Sequence, residues 1–121
     1  MRKPWLTMLS AAILTTLALT ACGDDSPPPA VSGTPVAMSE MKFEPSALTV
    51  KSGAEVEIGL SNPGDTKHNL TIDDLDIDED LDNGDATSFT FTAPTIPGEY
   101  KIYCDVPGHE TAGMVGTLTV E

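Results

Sequence analysis

The stretch Gly98-Glu99-Tyr100-Lys101-Ile102-Tyr103-Cys104-Asp105-Val106-Pro107-Gly108-His109-Glu110-Thr111-Ala112-Gly113-Met114-Val115-Gly116-Thr117-Leu118-Thr119-Val120 decides how the rest of the chain is read. Both of its ends alternate polar and apolar residues and are rich in β-branched and aromatic types, the pattern of a half-buried strand. Between them Pro107 and Gly108 bend the chain, and the spacing Cys104-x4-His109-x4-Met114 runs through the bend. Each of these residues alone has an ordinary explanation: a buried Cys is a small hydrophobe, a Met fills a core, and a lone His sits at a surface. Taken with His68, the only other histidine of the 121 residues, they supply two imidazoles, one thiol and one thioether. Two His and one Cys in a trigonal plane with a long, weak axial Met are the donors of a blue-copper site. Thiolate and imidazoles hold Cu(I) and Cu(II) alike, and the thioether favours Cu(I).

Outward from this stretch the chain reads as short strands. They are expected at Val36–Phe43, Ala47–Lys51, Glu55–Ser61, His68–Ile72, Thr87–Thr92, Gly98–Cys104 and Gly116–Val120. Lys51-Ser52-Gly53, Asn62-Pro63-Gly64-Asp65 and Ile96-Pro97-Gly98 provide the turns between them. Helical periodicity is absent, so the fold class is all-β, an antiparallel Greek-key β-sandwich of about seven strands. Asp73–Asp85 interrupts the pattern with eight acids interleaved with Leu75, Ile77 and Leu81. It is expected to be a solvated acidic connection or an edge strand, with electrostatic steering as its functional use. Asp78-x-Asp80-x-Asp82 opens like an EF-hand loop. Asn83 stands where that loop needs Gly and Phe89 where it needs Glu, so a calcium loop is set aside.

The amino-terminal part is an address. Arg2 and Lys3 precede an apolar, Thr-rich run that ends Leu19-Thr20-Ala21-Cys22, which resembles the bacterial lipobox, so residues 1–21 are expected to be a lipoprotein signal peptide and Cys22 a lipidated terminus. A transmembrane anchor fits less well, because the run is too short. Residues 22–34, with three consecutive prolines, form a tether, and the folded domain is expected over 35–121. Loss of Arg2 and Lys3 takes the net charge from −13 to −15 over the remaining 100 residues. That balance argues against nucleic acid, which needs clustered Lys and Arg. It favours a basic partner surface. With Cys22 lipidated, Cys104 has no internal disulfide partner, which excludes a disulfide scaffold.

Pro94–His109 and Gly113–Val120, together with Met41-Lys42-Phe43-Glu44-Pro45 and Lys67-His68-Asn69-Leu70, resemble the cupredoxins, the plastocyanin and azurin family. The resemblance spans nearly all of 35–121 and implies one copper ion held by His68, Cys104, His109 and Met114. It implies that Asn69 ties its strand to the Cys loop, and that the His109 edge is exposed in a patch formed by Pro107, Gly108, Ala112 and Gly113, where a partner docks. The function so implied is electron transfer between extracytoplasmic partners, such as a c-type cytochrome or a terminal oxidase, by a carrier tethered on the periplasmic or cell-surface side of a membrane. Copper enzymes of the same fold need further ligands. Tyr103 and Asp105 flank Cys104, and no third histidine exists for a second copper, so no enzyme is expected. A delivery or storage module using the same ligands is the alternative, although the five methionines show no exposed cluster.

Overall fold

The computed structural model describes residues 32–121. The expected signal peptide, Cys22 and the expected tether up to residue 31 lie outside the described residues. Nine strands follow one another: β1 (Thr34–Ser39), β2 (Lys42–Glu44), β3 (Ala47–Val50), β4 (Glu55–Ser61), β5 (His68–Ile72), β6 (Ile77–Leu81), β7 (Ala86–Thr92), β8 (Gly98–Tyr103) and β9 (Val115–Val120). One sheet has the order β2-β1-β4-β7 and the other β3-β9-β8-β5-β6. Alternation explains the layering. Val56, Ile58 and Leu60 on β4 are buried at every second position. Met38, Ile58 and Leu60 from the first sheet share one core with Leu70, Ile102 and Leu118 from the second, each 3% exposed or less. No helix among the described residues is long and apolar enough to cross a membrane.

The β-sandwich expected from the sequence is present, with nine strands in place of seven and with mixed sheets. The expected strand Val36–Phe43 is two strands. Ser39 pairs with Lys42, and the two residues between them, Glu40 and Met41, have φ of 47° and 61°. That is a two-residue hairpin turn with both residues left-handed, a conformation usually announced by Asn-Gly or Asp-Gly. Glu-Met carries no such signal, so the break was invisible in the pattern. The second added strand is β6, inside the acidic segment. Ile77 and Leu81 point inward while Asp78 and Asp80 are exposed, which makes it the edge strand of the five-stranded sheet. Its charges block pairing with another chain.

The pairings β1–β4 and β3–β9 are parallel, whereas an antiparallel sandwich was expected. Alternation reports which face of a strand is buried and nothing about its direction. Direction here is set by the chain passing from β2 in one sheet to β3 in the other.

This topology gathers four segments at one pole. β4 runs toward it, and the following Asn62 donates its side-chain N–H to the Leu81 carbonyl (3.1 Å), which stands opposite His68. β8 ends there, with Tyr103 opposite both Thr71 and Val115. Because β1 runs parallel to β4, the chain comes into the sandwich from the far side. Near the same pole β3 and β9 approach closely at Gly116. A Cβ there would lie 2.5 Å from the Ser46 carbonyl oxygen, which accepts the Thr117 N–H. Gly116→Ala is therefore expected to destabilise the domain by about 1–3 kcal/mol through overpacking, read as a lower urea midpoint with an unchanged slope.

Candidate metal centre

His68 opens β5, which is buried along its whole length between β6 and β8. Cys104 follows β8, and the loop 104–114 folds back on itself through its own backbone. His109 N–H donates to the Val106 carbonyl (3.0 Å), Met114 N–H to the His109 carbonyl (3.0 Å) and Cys104 N–H to the Met114 carbonyl (3.2 Å). Gly108 and Gly113 take φ of 86° and 106°, where a side chain would be strained. The loop thus holds Cys104, His109 and Met114 to one another as well as to the sheet.

The side chains converge. His68 Nδ1 lies 3.1 Å from His109 Nδ1, which lies 3.5 Å from Cys104 Sγ, and one donor atom from each residue falls within 4.8 Å of the others. His68, Cys104 and Met114 are fully buried and His109 is 7% exposed. Burial first, and then the charge of His109, hold the His68 imidazole below its ordinary value, which favours the neutral ring and its free lone pair. Its Nε2 is buried with no partner, so the directed interaction of the ring is at Nδ1, on the side of His109 and Cys104. Two imidazole nitrogens 3.1 Å apart can share only one proton. A soft cation accepted by both rings and the sulfur would satisfy all three, so the donor set fits a copper ion. Met114, sealed in the core and tied by its backbone to Cys104 and His109, stands beside them.

Asn69, also buried, joins the two halves of this centre. Its backbone N–H donates to Cys104 Sγ (3.4 Å), and its side-chain oxygen accepts the Asp105 N–H (2.8 Å). Its amide nitrogen donates to Asp105 Oδ1 (2.6 Å) and to Asp78 Oδ1 (2.9 Å). The contact with Asp78 was not foreseen, because it depends on the register that sets Thr71 opposite Asp78. Pro107, Gly108, Ala112 and Gly113 are all exposed around His109. Val115, at 41% exposure, was not singled out in the sequence and adds an exposed apolar residue beside Met114. Tyr103, next to Cys104, donates its hydroxyl to both Asp73 carboxylate oxygens (2.9 Å each), which pushes the phenol up to about 12.

A buried Cys and two His at one end of a two-sheet sandwich define a small protein with, among the described residues, a single soft-metal centre. A family model described as the cupredoxin-like domain matches residues 8–120. Plastocyanin of Dryopteris crassirhizoma is 35% identical over 99 residues, covering 69% of this chain and 92% of that protein. Among solved structures, reduced auracyanin of Roseiflexus castenholzii aligns with a TM-score of 0.65 and 24% identity, over 76% of this chain and 99% of that one. Auracyanin A of Chloroflexus aurantiacus, described as a "blue" copper protein, aligns with a TM-score of 0.59 and 24% identity, over 72% and 99%. The chain belongs to the cupredoxin family. Its small members are electron carriers with one bound copper, not enzymes.

Asn69→Ala removes the acceptor of the partly buried Asp105 N–H along with two donor bonds. The copper-free protein is expected to lose about 1–3 kcal/mol, measured by denaturant unfolding.

Proposed function

We propose that this chain is a one-electron carrier in which His68, Cys104, His109 and Met114 hold a single copper ion, and that lipid on Cys22 tethers it to a bacterial membrane on the periplasmic or cell-surface side. The observation that carries this proposal is the buried convergence of the two Nδ1 atoms on Cys104 Sγ. Bound copper would supply a Cu(I)/Cu(II) couple in a ligand set that both states accept. The protein does the rest. The core keeps water from His68, Cys104 and Met114, and the loop hydrogen bonds hold the donors in place, so little needs to move when the charge changes.

His109 is the one donor residue that reaches the surface, and the exposed Pro107, Gly108, Ala112 and Gly113 form the docking face around it. Charge supports a basic partner, such as a c-type cytochrome or a terminal oxidase. Lys67 and Lys101 are each paired, with Asp80 and with Glu110, while Asp73, Asp74 and Asp76 beside β6 have no ion-pair partner among the described residues. β1 runs toward the metal pole from the opposite side, so a domain anchored through its amino-terminal end would present His109 away from its attachment.

Three outcomes are expected. A soluble chain starting at Gly23, titrated with Cu(II), develops an intense thiolate-to-copper band that ascorbate bleaches and oxidation restores, and Cys104→Ser lacks the band. Weak absorption with ready loss of Cu(I) to chelators would make the chain a delivery or storage module instead. Reduction by a basic cytochrome slows about tenfold or more as ionic strength rises toward 0.3 M, and a flat response removes electrostatic steering. In cells, a labelled fatty acid is incorporated into the wild type. In Cys22→Ser the label is lost and the protein leaves the membrane fraction.

A further inference from the structure

We infer that Asp78 and Asp105, which accept the two hydrogens of the Asn69 side-chain amide, set the copper potential: their charges hold it below the value that the same ligands would have with neutral acceptors in those places. This deepens the proposed function and rests on Cys104 being a copper ligand.

Asn69 works as a bracket behind the sulfur. Its backbone N–H donates to Cys104 Sγ at 3.4 Å, and its amide nitrogen reaches Asp105 Oδ1 at 2.6 Å and Asp78 Oδ1 at 2.9 Å. Asp78 Oδ1 also receives the Thr71 hydroxyl at 3.4 Å. Two carboxylates therefore stand one residue away from the thiolate. An amide N–H needs only an oxygen acceptor, so the clamp would close equally well on a hydroxyl or a second amide. The charge is surplus to the clamp. No ion pair takes up that charge: the ion pairs among the described residues are Lys42 with Glu44, Lys67 with Asp80 and Lys101 with Glu110, so Asp78 meets the Lys67 ammonium only at longer range and Asp105 is in none of them. The oxidised centre carries one positive charge more than the reduced centre, so fixed negative charge at this range favours the oxidised state. The Asn69 N–H on sulfur acts in the opposite sense, drawing electron density from the thiolate and favouring Cu(I). The same residue thus carries one influence to the sulfur and anchors the other beside it. Asp78 belongs to the edge strand β6, so the acidic edge and the metal centre are joined through one side chain.

The test uses full-length, copper-loaded protein in detergent, as wild type, Asp78→Asn, Asp105→Asn and the double variant. Asn keeps an oxygen for the Asn69 amide and removes only the charge. Each protein is equilibrated with redox mediators, and the thiolate band reports the Cu(I) to Cu(II) ratio. At a fixed poise the double variant is expected to hold a ratio roughly tenfold higher than wild type, which is ~59 mV for a one-electron couple. Each single variant moves part of the way, and carries the test alone if the double variant does not fold. Asp105→Glu, which keeps the charge, stays near wild type, and Glu55→Gln at the far end of β4 moves nothing. Double and single variants within twofold of wild type, or displaced toward Cu(II), overturn the inference while the band itself leaves the proposed function standing. An equal shift in Glu55→Gln also overturns it, since overall charge would then be the cause. Absence of the band in the wild type overturns both.

Discussion

The structure depends on one buried amide. Asn69 sits on β5, inside the edge strand β6, and fastens to the loop that carries Cys104, giving and taking hydrogen bonds with Asp105 and donating to the sulfur. His68 and Cys104 come from segments that no local interaction could bring together. Side chains alone would leave two imidazoles and a thiol crowded at a pole with their lone pairs opposed. The Asn69 clamp fixes their separation in the backbone, where it does not depend on what occupies the space between them.

The rest of the pole follows from that constraint. The loop between β8 and β9 closes on itself through bonds from His109 to Val106, Met114 to His109 and Cys104 to Met114, so its donors move as one piece. Sheet pairing then sets the depth of that piece. Tyr103 lies opposite both Thr71 and Val115, which seals Cys104 and Met114 while leaving Pro107, Gly108, Ala112 and Gly113 at the surface. The centre is buried from within and accessible at one corner, as suits a group that exchanges electrons without exchanging ligands.

Much of this was legible in the chain. The alternation of Val56, Ile58 and Leu60, of Phe89 and Phe91, and of Leu118 and Val120 reports sheets with one buried face, because side-chain direction in a strand has a period of two. Where the pattern misled, the cause was local chemistry without its usual marker. Glu40 and Met41 make a left-handed turn that Asn and Gly ordinarily make. The acidic segment was left open between a connection and an edge strand, because only Ile77 and Leu81 mark the inward face of β6.

The sequence by itself determined the donor types, since two histidines, one free thiol and a methionine at fixed spacing restrict the metal through the softness of the ligands. It also determined that the chain builds a sandwich, because periodicity and turn residues are properties of neighbouring positions. Only the tertiary structure decided the parallel course of β1 beside β4 and of β3 beside β9, the meeting of His68 with Cys104, and the place of Asp78 at the amide of Asn69. These are relations between distant segments. They are set by strand register and by which sheet each strand joins, and the local pattern of side chains carries no record of either.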